Sequence, residues 1–144
     1  MIWRIVAVGR PALPFAAAGI ADYVSRIGHF ARVELEFIKA GPQAHAMMIS
    51  RSAKTYRVFL DERGHQFTSR SFSTAIQTLE NRSVSTCSLL VGGADGWLPE
   101  ERAKADLVWA LGKITLQHEL ALLVALEQIY RAVTIKAGTP YHRD

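Results

Sequence analysis

A single cysteine, Cys87, stands among the 144 residues. One thiol cannot close an internal disulfide, so the core must hold the fold, and a reducing, cytoplasmic setting is expected. Cys87 opens an apolar run and reads as an inert buried thiol. No apolar stretch is long enough to span a bilayer, because the best candidate, Leu120 to Ile129, is interrupted by Glu127 and Gln128. The opening residues contain Arg4 and lead into neither an apolar h-region nor a small-residue cleavage site, so no signal peptide is expected. Internal repeats and low-complexity segments are absent. No histidine pair has metal-ligand spacing and a lone cysteine cannot build a thiolate zinc site, so no metal is expected. The GxGxxG pattern is missing too, which leaves a dinucleotide fingerprint unsupported.

What is present suits one globular domain spanning 1–144. Hydrophobic residues make up 49% and charged residues 21%, and the length suffices for one sizeable core. The net charge of +4 is unevenly spread. Residues 1–60 hold eight Lys/Arg against three Asp/Glu, whereas residues 61–144 hold nine against ten. A basic first half is compatible with a nucleic-acid face, although solubility alone would explain a charge of this size.

Strand-like and helix-like patterns alternate along the chain. Ile2 to Val8 reads as a strand, stopped by Gly9 and Pro11. Pro14 suits a first helical turn, Phe15, Ile20, Tyr23, Val24 and Ile27 follow helical spacing, and Gly28 suits the C-cap. Val33 to Ile38 alternates as a half-exposed strand, and Ala44 to Ala53 reads as a short helix in the least regular segment. Tyr56 to Leu60 reads as a strand ended by the turn signature Asp61-Glu62-Arg63-Gly64. Ser71 is expected to cap a helix running to Asn81. Thr86 to Val91 is continuously apolar, the mark of a strand covered on both faces. Pro99 begins a short helix, Val108 to Leu111 and Lys113 to Leu116 read as short strands, and His118 to Ala137 closes as a long helix. Such alternation predicts an α/β fold with a mostly parallel sheet.

Ligands in open parallel sheets sit beyond the carboxyl ends of the strands. Three loops leave such ends: Leu60 to Gly64, Gly92-Gly93-Ala94-Asp95-Gly96, and Gly112 to Gln117. Aspartates there, Asp61 and Asp95, read first as turn chemistry. His29, His45 and His65 are expected to be solvated loop residues. Glu127, a carboxylate among leucines and valines, is expected to pair with Arg131 four residues on. The apolar closing helix carries such residues on nearly every face, which suggests burial all round and motivates a homodimer. The polar cluster Tyr141-His142-Arg143 at the C-terminal end needs something to hold it, and a functional site is one candidate.

Several of these segments, in this order and spacing, resemble the RlmH family of SPOUT methyltransferases. The resemblance runs through Val6-Ala7-Val8-Gly9, Leu60-Asp61, Leu90 to Gly96, Ile114-Thr115-Leu116, Glu127 to Ala132 and Pro140-Tyr141-His142-Arg143. It implies a single-domain SPOUT (α/β-knot) fold with a mostly parallel sheet and a deep C-terminal trefoil knot. It also implies a homodimer with S-adenosylmethionine in the knot loops, methylating N3 of a pseudouridine in 23S rRNA on the assembled ribosome. Position by position, it places cofactor contacts on Leu60, Asp61, Gly93, Gly112, Lys113, Ile114, Thr115, Leu116 and Gln117. The same resemblance places Tyr141, His142 and Arg143 on the substrate side, with His118 as a further matching histidine and proton-acceptor candidate. Two positions depart from the family pattern: Gln117 replaces a usual proline and Leu122 a usual arginine. They leave one alternative open, a non-catalytic ribosome-associated RNA-binding protein on the same scaffold.

Overall fold

Period-2 alternation in the first strand, β1 (Ile2–Val8), divides the molecule into two cores. Trp3, Ile5 and Ala7 enter a cluster of 19 buried residues, whereas Val6 and Val8 enter a cluster of eight. The computed structural model describes all 144 residues. After β1 come α1 (Pro14–Ile27), β2 (Val33–Ile38), α2 (Ala44–Arg51), β3 (Tyr56–Gln66) and α3 (Ser69–Asn81). The chain continues through β4 (Thr86–Val91), α4 (Pro99–Arg102), β5 (Leu107–Ala110) and α5 (His118–Ala137).

The sheet order is β2-β1-β4-β3-β5, and every pairing is parallel. The helices α1, α3 and α5 cover one face, and α2 with the segment around Trp97 covers the other. Central β4 is therefore dry on both sides, with Leu89 in one core and Leu90 in the other, as its unbroken apolar run predicts. Cys87 is fully buried there, and burial pushes its thiol far above the ordinary range, which makes it inert.

The structure corrects the sequence reading in several places. Residues 61–64 do not end the third strand. β3 pairs with β5 up to Leu60 opposite Trp109, makes an excursion, and resumes with His65 opposite the same Trp109. Gly64 permits this return, since a Cβ there would lie 2.5 Å from the Val108 carbonyl. Asp61 does show the expected turn chemistry, its Oδ1 accepting from the Arg63 N–H at 2.8 Å. The cap of α3 is Thr68 rather than Ser71, which stands at the third helical position and closes a reciprocal capping box. The helix α2 stops at Arg51, and Lys113 to Leu116 form a loop rather than a strand. Gly28 caps α1 in right-handed geometry, whereas Gly138 ends α5 with the left-handed φ of 74°.

The helix α5 is not buried all round. Its dry stripe includes Leu122, Ala125, Leu126 and Ile129, and α1 and α3 flank it within the same chain. Leu122 is 2% exposed, so the departure at this position faces the core. No helix is long and apolar enough to cross a membrane.

Candidate active site

The excursion within β3 and the carboxyl ends of β4 and β5 border a cavity of about 460 Å³. Its lining brings together Leu60, Asp61, Gly93, Gly112, Ile114, Thr115, Leu116 and Gln117, eight of the nine expected cofactor residues, together with His118. Lys113 is exposed and is not part of the lining. Three segments far apart in sequence form one surface because the β3 excursion and the ends of β4 and β5 lie at the same edge of the sheet.

Side chains brace these loops. Thr115 donates to Glu62 at 2.5 Å, tying the 112–117 loop to the β3 excursion. Gln117 caps α5, its amide oxygen accepting from the N–H groups of Glu119 at 2.8 Å and Leu120 at 3.0 Å. A proline would offer no such cap, so the departure at this position acquires a structural role. Glu119, buried at the start of α5, accepts from the Leu13 N–H at 3.0 Å and pins the β1–α1 loop beside the site. That backbone donor, with Ala12 and Gln117, holds its carboxyl below the usual range despite desolvation.

The wall beside the glycine turn has no signature in the sequence. Trp97 lines the cavity and packs against Phe59 at 4.5 Å and His45 at 4.2 Å. His45 is therefore not a solvated loop residue. It sits on α2, and its Nδ1 lies 3.0 Å from Glu101. A Cβ on Gly92 would come within 3.2 Å of Trp97 and 3.3 Å of His45, so any side chain there presses on this wall and glycine lets the turn lie against it unstrained. His65 belongs to β3 and stands edge-on to Phe67.

Tyr141, His142 and Arg143 lie elsewhere, alongside the middle of α5. The Tyr141 hydroxyl donates to Glu127 at 3.1 Å, so Tyr23, 2.9 Å away, must donate to it. Arg131 forms the expected pair with Glu127, donates to His142 Nδ1 at 3.1 Å, and lies over the Tyr141 ring at 4.9 Å. With Nδ1 accepting, His142 donates from Nε2 to Asp144 at 2.8 Å, the arrangement of a neutral ring with both nitrogens engaged. Arg70 of α3 grips Asp144 through two guanidinium nitrogens. That grip, helped by His142, holds the Asp144 carboxyl down at about 2. Desolvation, reinforced by Tyr23 and Glu127, pushes the Tyr141 phenol up. Arg143 is exposed. Tyr23, Arg70 and Asp144 carry no motif of their own, and only the folded topology joins them.

Comparisons with known proteins identify the family. A family described as "Predicted SPOUT methyltransferase" matches residues 1–142. "Ribosomal RNA large subunit methyltransferase H" of Thermus thermophilus is 41% identical over 140 residues, covering 97% of each chain. The protein of the same name from Deinococcus radiodurans is 36% identical over 142 residues, again covering 97% of each. Among solved structures, a probable methylase family protein from Haemophilus influenzae matches with a TM-score of 0.61 at 10% identity, covering 99% of this chain and 70% of the other. A probable methyltransferase from Bordetella pertussis matches with a TM-score of 0.58 at 12% identity, covering 91% and 95%. At such identities these structures speak to the fold alone, whereas the family match spans nearly the whole sequence. This chain belongs to the SPOUT methyltransferase family.

Proposed function

We propose that the protein is a cytoplasmic S-adenosylmethionine-dependent methyltransferase acting on N3 of a pseudouridine in 23S rRNA on the assembled ribosome. The observation that carries this reading is the convergence of eight expected cofactor residues, from three loops distant in sequence, on one cavity. Relatives named for ribosomal RNA methylation support the substrate class.

The lining fits the cofactor. A cavity of about 460 Å³ lies within the range of small-molecule sites. Gly92, Gly93, Gly96 and Gly112 keep much of its rim free of side chains, so backbone amides and carbonyls can approach a flat base. Asp61 and Glu62 offer carboxylates to ribose hydroxyls or an amine. The bound cofactor would supply a methyl group already activated by a sulfonium.

The protein's own task is to position the nucleotide and remove a proton, since an imide nitrogen carries one at neutral pH. His118 is the imidazole on the cavity wall. His142 stands in the second cluster, beside Arg143 for phosphate or carbonyl contact and Tyr141 for stacking. Glu127, which anchors Tyr141, lies nine residues after His118, roughly 14 Å along the helix. We infer that the two regions meet across a homodimer, the cluster of one subunit completing the cavity of the other, with the C-terminal segment threaded as a trefoil knot. A net charge of +4 suits an enzyme that reads a shaped ribosomal surface rather than arbitrary RNA.

The test is methyl transfer from labelled S-adenosylmethionine to ribosomes from a strain lacking the gene. Label at N3 of one large-subunit pseudouridine is the expected result. Cofactor binding without label on any ribosomal particle would defeat the assigned substrate. Neither binding nor label would leave a non-catalytic scaffold as the better reading.

A further inference from the structure

Arg102 is the last residue of α4, the four-residue helix that follows the glycine turn. Its side chain is 19% exposed. Nη1 donates to the Trp97 carbonyl at 2.5 Å and lies 3.6 Å from Asp61 Oδ2. These partners belong to different walls of the cavity. Trp97 closes the turn leaving β4, and Asp61 stands where β3 begins its excursion.

Asp61 needs a counter-charge, because its side chain is only 3% exposed and a buried lone carboxylate is costly. Arg63 also lies 3.6 Å away, but it is 63% exposed and its attraction is screened by water. Arg102 is the better-sheltered of the two cations. Trp97 has the complementary need. Its ring is buried in the second core, and its Nε1 is the single buried side-chain polar atom without a hydrogen-bond partner. The ring therefore does not anchor the turn through a polar contact of its own. The backbone carbonyl gripped by Arg102 does.

The helix α4 has a separate attachment on its other side. Glu101 accepts from the Leu98 N–H at 2.7 Å and pairs with His45 of α2 at 3.0 Å. That contact fixes α4 to the back of the sheet without touching Asp61. The two attachments can therefore be cut independently.

We propose that Arg102 is a positioning residue for the cofactor cavity, a clasp that sets the spacing between the glycine turn and the β3 excursion and aims the Asp61 carboxylate. This rests on the cofactor reading above. The experiment is calorimetric titration of S-adenosylmethionine into the wild type and into Arg102→Gln, Arg102→Met and Glu101→Gln. Thermal unfolding and the KM and kcat on ribosomes are measured in parallel. Arg102→Met keeps the aliphatic packing, so whichever Arg102 variant folds decides the matter.

The expected result is a Kd and a cofactor KM raised roughly tenfold or more, the cost of losing the guanidinium's hydrogen bond to the Trp97 carbonyl and the counter-charge of a buried carboxylate. At saturating cofactor, kcat should stay near the wild-type value, and Glu101→Gln should bind like the wild type. Wild-type-like affinity in a folded Arg102 variant overturns the clasp and leaves the cofactor reading intact. Equal weakening by Glu101→Gln also overturns it, since any loosening of α4 would then suffice. Absence of binding by the wild type overturns both readings.

Discussion

The start and the middle of α5 carry polar regions built in opposite ways. The cavity at the His118 end is largely backbone: four glycines line it, and its one deeply buried charge, Asp61, is held by protein partners. The region beside Glu127 and Arg131 is a mesh of side chains, in which Tyr23, Tyr141, His142, Asp144 and Arg70 are linked by hydrogen bonds and ion pairs. A glycine-walled cavity holds a ligand by shape and main-chain contact. A titratable mesh holds protons and anions. Under the proposed function, the contrast makes binding and chemistry separable, and it exposes each to its own substitution.

The largest effect is expected at the mesh. His142→Ala should lower methyl transfer to ribosomes by roughly 10²- to 10⁴-fold, the range for a lost acid–base or positioning group, while calorimetry shows unchanged cofactor affinity. Gly92→Val should do the reverse. Its Cβ would press on Trp97 and His45 and its methyl groups reach further, so the turn must shift and the cofactor Kd should rise. If His142→Ala abolished cofactor binding while Gly92→Val left it alone, the division of labour would be wrong.

Mixing those two variants, with cofactor held well below the Gly92→Val Kd so that neither alone is appreciably active, sharpens the comparison. If a site takes its cavity from one subunit and its mesh from the other, half of the randomly reassorted dimers carry one intact site out of two, giving about a quarter of wild-type activity. If each site lies within one chain, every site keeps one defect and the mixture stays inactive. Methyl-transfer rates before and after subunit exchange separate these cases.

How legible each region was follows from its construction. The cavity could be anticipated because glycines, strand ends and the family resemblance all mark the same loops. What escaped were the parts set by packing between distant segments. His45 looks like a loop histidine until α2 seats it on Trp97, and Asp61 to Gly64 looks like a turn until β5 pairs with both sides of the excursion. Similarly, α5 looks as though it needs an outside cover until α1 and α3 are seen flanking it. In the mesh, Glu127–Arg131 was readable as a local i,i+4 pair, whereas Tyr23 and Arg70 join it from 118 and 74 residues away. Side-chain periodicity holds no record of such separations.

The mesh also makes a prediction about acid. Arg70 and His142 favour the charged form of Asp144, so its carboxyl titrates at about 2, below its ordinary value of 3.8. The sign follows: the contact is fully stabilising above the ordinary value and is lost as pH falls through about 2. Carboxyl-carbon NMR on the folded protein should place the Asp144 midpoint near that lower value. Arg70→Ala should move it up toward the ordinary one, and an unmoved midpoint would mean that the ion pair does not persist in solution.

The smallest effect concerns what supports Arg70. The first turn of α3 carries both Ser69, which donates to Gln128 of α5 at 2.9 Å, and Arg70, which grips Asp144. Thr68 caps that turn, its hydroxyl accepting from the Ser71 N–H at 3.0 Å. Thr68→Ala should therefore cost about 1 kcal/mol in urea unfolding, with an unchanged m-value. Because the cap fixes the mesh and leaves the cavity alone, the same variant should raise the ribosome KM slightly and leave the cofactor Kd unaltered. A change in cofactor Kd instead would show that the two regions along α5 are mechanically coupled through α3, and the proposed separation between binding and chemistry would have to be redrawn.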